Sequence, residues 1–143
     1  MIKTLFVVLG LFVNFLTAQN ISKQKTIDYI NANYSDGLKV DQLGNITLAG
    51  KYKFSYRNVQ LSPNNEKTFT GKINFFCVNK DNCIERKEGD VMQKMFNYTI
   101  KVNDKENFAR LYNAFDHLLS LLEKEKPDNN DNDPFAPQNY KKN

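Results

Sequence analysis

Strict alternation of apolar and polar positions marks the middle of this chain, and a helical stripe closes it. In residues 51–57, Tyr52, Phe54 and Tyr56 alternate with Lys51, Lys53, Ser55 and Arg57. A period of two puts one side of a strand against a core and the other against water. Phe69, Ile73, Phe75 and Cys77 share one parity in a further run, and Phe96, Tyr98, Ile100 and Val102 in a final one. Val59 and Leu61 continue on the other parity from Tyr56, which predicts a bulge near Asn58. Residues 38–43 and 46–48 read as short strands around a tight turn at Gly44 and Asn45. Residues 62–65, 79–82 and 88–90 read as further turns, rich in Asn, Asp, Gly and Pro.

Helical spacing brackets these strands. In residues 22–34, Ile27, Ile30 and Tyr34 recur at helical intervals behind Ser22, a good N-cap. Gly37 suits a left-handed C-terminal cap. Near the other end, Asp104 is a good N-cap and Glu106 suits the first turn. Phe108, Leu111, Tyr112, Phe115, Leu118, Leu119 and Leu122 then fall within an arc of about 120°, an apolar stripe made for packing on a sheet. The helix should stop near Lys126, because Pro127 cannot continue it. The expected fold class is α+β: an N-terminal helix, an antiparallel β-meander of about five to seven strands, and a long amphipathic C-terminal helix packed on the sheet.

The flanks read differently. Residues 1–18, MIKTLFVVLGLFVNFLTA, have a basic start at Lys3, an apolar run from Leu5 and a small residue at Ala18. That is the layout of a secretory signal peptide, with cleavage expected after Ala18 and Gln19 as the mature N-terminus. The run falls short of the roughly 20 apolar residues of a spanning helix. Residues 127–143 are polar, contain Pro127, Pro134 and Pro137, and read as a disordered tail. A single α+β domain is expected over residues 19–126.

Composition narrows the function classes. The 143 residues carry a formal net charge of +4, and losing Lys3 with the leader leaves about +3. Basic and acidic residues are interleaved, so the charge reads as a solubility feature and not as a nucleic-acid footprint. Aromatics are plentiful, with Phe and Tyr and no Trp.

Cys77 and Cys83 are the only cysteines. In a hairpin centred on Lys80 they would stand opposite one another, at a spacing a disulfide can bridge. Export would let such a bond form and persist, as a structural staple contributing about 2 kcal/mol. The CxxC spacing of thioredoxin-like redox pairs is absent. Two cysteines and a single distant His117 are too few for a zinc site.

Other candidate chemistry is weak. His117 lies about 180° from Phe108 on the helical wheel and is expected to face solvent, away from any nucleophile. Asp128, Asn130 and Asn132 have the spacing of the first calcium-loop ligands, but Asp133 stands where that loop needs Gly and Asn139 where it needs Glu. No phosphate-cradling glycine motif and no GxSxG elbow occurs. Asp36, Asp41 and the acids of residues 88–90 lie in turns without visible pairing. The aromatic and basic alternation of residues 51–57 could be a stacking platform for sugar or single strands, but any amphipathic strand shows it. N-x-[ST] sequons occur at Asn20, Asn33, Asn45 and Asn97 and matter only in a glycosylating host. No catalytic, cofactor or metal residues are expected.

The segments Thr17-Ala18-Gln19, TIDYINANY, CVNKDNCI and ENFARLYNAFDHLLSLL together resemble small secreted proteins of Bacteroidota of uncharacterised function. The resemblance implies an exported, non-lipidated protein, periplasmic or extracellular. The order of elements also looks like the pleckstrin-homology-like superfold, while helix-grip and cystatin-like folds stay open. Fold likeness alone assigns no function. The expectation is a secreted or periplasmic non-catalytic binding module, its partner an envelope protein or a small apolar ligand, with no nucleic acid and no stable membrane anchor after cleavage. The alternatives are a small secreted hydrolase with a site of dispersed Asp, Glu, Tyr and Lys, and a structural or inhibitory partner of an envelope protein.

Overall fold

The computed structural model describes residues 22–62 and 69–125. The leader, the tail with its calcium-like spacing, Asn20, and the turn around Pro63, Asn64 and Asn65 lie outside the described residues.

Helix α1 spans Lys23–Asn33. Ser22 starts it as the pattern predicts: its Oγ accepts the Lys25 N–H at 3.3 Å. Thr26 and Ile30 are its buried positions. Tyr34 is the C-terminal cap, in extended conformation. Gly37 does take a left-handed φ of 84°, but in the turn after the helix.

The strands are β1 (Leu38–Val40), β2 (Asn45–Leu48), β3 (Tyr52–Ser55), β4 (Val59–Leu61), β5 (Lys72–Cys77), β6 (Ile84–Glu88), β7 (Val91–Met95) and β8 (Asn97–Lys101). They build two antiparallel sheets, ordered β1-β2-β3-β6-β7 and β4-β5-β8. This corrects the expected meander of five to seven strands: the described residues form eight, and the chain changes sheet between β3 and β4, between β5 and β6, and between β7 and β8. Each change has a local cause. A 3-10 turn over Tyr56–Asn58 turns the chain where a bulge was expected. The other two follow the Cys77–Cys83 loop and the bend at Phe96.

Several boundaries shift for similar reasons. The first strand stops at Val40 because Asp41 gathers the turn after it: its carboxylate accepts the Leu43 and Asn45 N–H groups, both at 2.9 Å, and the Asn45 side-chain amide. These bonds, led by the Asn45 side chain, lower the Asp41 pKa. Asn45 therefore opens β2, and Leu43 is left 81% exposed at the tip. Gly44 has a φ of 77°, and a Cβ there would lie 2.6 Å from the Tyr56 ring, so both backbone and space require glycine. Phe69 is not in a strand; it stands beside the sheet with its ring edge-on to Phe108 at 5.3 Å. Strand β7 has no alternation to announce it, because four of its five residues are exposed.

Helix α2 spans Lys105–Lys124, and Asp104 caps it by accepting the Asn107 N–H at 2.7 Å. Its predicted stripe is the core stripe: Phe108, Leu111, Phe115, Leu118 and Leu122 are buried, with Tyr112 and Leu119 partly so. A file of rings then joins the layers. Phe54 of the first sheet packs on Phe75 of the second at 5.4 Å between centroids, Phe75 on Phe115 of α2 at 5.2 Å, and Phe115 on Tyr34 at 6.3 Å. Each such ring contributes about 1.5–3 kcal/mol by leaving water.

The disulfide forms, with the two Cα atoms 5.8 Å apart. It does not staple a hairpin. Strand β5 pairs with β4 and β8, while β6 pairs with β3 and β7. The bond therefore closes the crossover from one sheet to the other, and the Cys83 N–H donates to Cys77 Sγ at 3.0 Å inside it.

Candidate functional site

Three elements converge at one end of the second sheet. The residues after α1, the strand β8 and the first turn of α2 enclose a cleft of about 520 Å³. That volume is within the range of small-ligand and peptide sites. Its walls are polar: Asn33 and Asp36 on one side, Asn103, Asp104 and Asn107 on the other, with Lys101 between them.

Two tyrosines form the floor. Tyr34 is only 7% exposed, and its hydroxyl shares a hydrogen bond of 3.2 Å with that of Tyr98. Sequence periodicity accounts for both positions: Tyr34 ends the buried face of α1, and Tyr98 sits on the inward parity of β8 with Ile100. Burial raises the Tyr34 pKa well above the ordinary phenol value, with the Tyr98 bond adding to it. Burial likewise raises that of Tyr98, against a lowering by its bond to Tyr34. Both are therefore neutral hydroxyls at physiological pH, able to donate and accept.

Behind the floor, Tyr52 of β3 stacks on Tyr98 at 4.0 Å between centroids. The Arg86 guanidinium and the Lys51 ammonium lie over the Tyr52 ring at 6.0 and 5.6 Å. Arg86 also pairs with Glu88, while its Nε is buried without a hydrogen-bond partner among the described residues. The alternating run at residues 51–57 thus belongs to the core and its margin: Phe54 and Tyr56 are buried, and Tyr52 is partly buried against the core behind the cleft floor.

A second concavity of about 420 Å³ runs between the helices, mostly apolar, past Tyr29 and Ala114. His117 lies on its wall, half-buried, where a fully solvent-facing position was expected. The difference has a plain cause: α1 lies along α2 and covers the side of the helix that the sheet leaves free. Cys77 and Cys83 stand at the crossover, outside both concavities. The sequons at Asn33 and Asn97 are on exposed residues, and Asn45 is half-buried within β2.

Among the described residues, no group of three or more His, Cys, Asp or Glu is placed to hold a metal ion. No helix among them is long and apolar enough to cross a membrane. Sequence reasoning missed the cleft because its walls come from turns and helix ends distant in the chain, and its polar residues look like ordinary loop composition. No protein-family profile, curated protein or solved structure matches the chain.

Proposed function

We propose that the protein is an exported, non-catalytic binding module whose ligand sits in the cleft between β8 and the facing helix ends. The observation that carries this reading is the cleft itself: a polar concavity of about 520 Å³ set directly on a packed aromatic core. A floor held by the Tyr34–Tyr98 bond and by Tyr52 stacking is preformed, so a ligand pays little ordering cost. The rings of Phe54, Phe75 and Phe115 occupy the space between the sheets and α2, which favours a polar guest in the cleft over an apolar one inside. Export is supported by the leader pattern of residues 1–18, by the likeness to secreted Bacteroidota proteins and by the Cys77–Cys83 bond, which persists in oxidising compartments.

The hydrolase reading draws on the same place, because Asp36, Asp104, Tyr98 and Lys101 all line the cleft. One experiment separates the two. Amide resonances of the isotope-labelled full chain are followed while pools of peptides, oligosaccharides and esters are added. Shifts confined to residues 33–36 and 98–107, without turnover, are expected. Shifts confined to the groove between the helices would remove the cleft from the proposal, and turnover of any substrate in the pool would remove the non-catalytic reading.

A further inference from the structure

Among the described residues, strand β8 is paired on one side only, with β5. Two hydrogen bonds fix which of its backbone groups are used: the Val102 N–H donates to Gly71 O at 2.8 Å, and the Cys77 N–H to Phe96 O at 2.9 Å. Antiparallel ladders alternate, so Phe96, Tyr98, Ile100 and Val102 turn their N–H and C=O groups toward β5. The same groups of Asn97, Thr99 and Lys101 then point away from β5, to the open side.

The cleft lies on that open side. Its lining includes consecutive residues of this segment, from Tyr98 to Val102. A concavity on one face of a sheet would be lined by alternate residues, because side chains point to opposite faces. Consecutive lining means that the strand's edge itself forms the wall.

We infer that β8 takes up an extended segment of another polypeptide as an added strand, laid along the outward groups of Thr99 and Lys101 within the polar cleft and of Asn97 at its margin. This rests on the cleft being the ligand site. Only another extended backbone repeats donors and acceptors every two residues, about 6.8 Å, as this edge does. The five residues of β8 match a guest segment of about 17 Å. Residues 33–36 line the same cleft of about 520 Å³, a volume that suits a bare strand and not the edge of a second folded sheet. Asp36 and Asp104 in the lining outnumber its one basic residue, Lys101, and favour a basic side chain on the guest beside its paired backbone.

The test starts from a phage-displayed library of random linear dodecapeptides, selected on the full chain with its disulfide intact. Enriched peptides are synthesised, their affinities measured, and each of their amides N-methylated in turn. Losses of about tenfold or more at every second amide, with little change between, are expected. In the protein, Thr99→Pro removes one outward N–H at a position where an edge strand tolerates proline, and should weaken binding about tenfold. Thr99→Val keeps the outward N–H and loses only the Oγ1 bond to Asn74, so a loss as large as that of Thr99→Pro would overturn the backbone pairing. If Thr99→Pro does not fold, the N-methyl series decides alone. An empty selection overturns the inference, as does a dimer through this edge that binds no peptide. Peptides that shift cleft resonances without alternating N-methyl losses overturn the added strand but leave the binding-module reading standing. Peptides that shift only the groove around Tyr29 and His117 overturn both.

Discussion

Strands β1 and β8 both lie at the outside of a sheet, yet among the described residues only β1 is met by a closing side chain. The Asp41 N–H donates to Asn45 O and the Ala49 N–H to Gly37 O, so Leu38 and Val40 turn their backbone groups outward from β2. Asn31 of α1 then meets Leu38 from that side. Its Oδ1 accepts the Leu38 N–H at 2.7 Å, and its Nδ2 donates to Leu38 O at 3.1 Å. One side-chain amide thus imitates a neighbouring strand. Strand β8 has five residues where β1 has three, and what stands beside its outward groups is a polar cleft instead of an amide. Edges left unpaired invite strand addition, and proteins ordinarily blunt them. Among the described residues, one edge is thus filled from within the fold while the other meets only the cleft.

The comparison presupposes an intact β5, the strand that gives β8 its single partner. Phe75→Ala should damage most, by about 3–5 kcal/mol in urea unfolding, because its ring touches both Phe54 and Phe115. A loss below about 1 kcal/mol would mean that the two sheets and α2 do not share one core. Asn31→Ala attacks the closed edge directly. It leaves the N–H and C=O of buried Leu38 without their partner, at about 1–3 kcal/mol. It should also make the protein self-associate at high concentration, detectable by sedimentation, since one more outer strand then stands unclosed. If Asn31→Ala unfolds like the parent, the amide is not what closes β1.

Side-chain pattern is blind to this difference, and that explains which parts of the fold were legible in the sequence. The α2 stripe from Phe108 to Leu122, the Ser22 and Asp104 caps and the inward parity of Phe54, Ile73 and Phe75 all depend on local spacing, and all were readable. Strand β5 is central and β8 peripheral, yet both alternate in the same way, because alternation reports a buried face and not the number of neighbours. The division into two sheets was illegible because it turns on the Tyr56–Asn58 turn and the bend at Phe96, where the apolar parity shows no break that distinguishes a bend from a bulge. The disulfide was found through spacing, but the hairpin inferred from it was not there: a six-residue separation fits a tight crossover equally well. Strand β7 was missed because it is exposed on both faces and has no buried period to read.

A smaller effect probes the cleft floor through pH. The pKa of Tyr34 and of Tyr98 is raised, chiefly by burial, above the value of 10.0 expected for the unfolded chain. A group raised in the folded state contributes its full stability below the unfolded value and loses it as pH climbs toward the folded value. Stability should therefore hold to about pH 10 and decline above it, as the unfolded chain ionises first. Tyr34→Phe should flatten that decline in denaturation midpoints measured across alkaline pH. An unchanged slope in the variant would show that the floor is open to solvent.

The smallest expected effect is the sharpest test of the open edge, and it lies in one pair of adjacent residues. Val102→Pro deletes the N–H that bonds to Gly71 O at 2.8 Å, leaves that carbonyl unpaired, and should cost more than about 1 kcal/mol. Lys101→Pro deletes an N–H that points away from β5, so no ladder bond is lost. Ile100 before it is already extended, the conformation that a following proline requires. Lys101 also stands directly opposite Lys72, a like-charge pair whose removal is mildly favourable. The net change for Lys101→Pro should stay within about 0.5 kcal/mol. If urea midpoints show Lys101→Pro to be as damaging as Val102→Pro, then the outward amides of β8 already have partners within the chain. The contrast with β1 would vanish, because both edges would be closed from within.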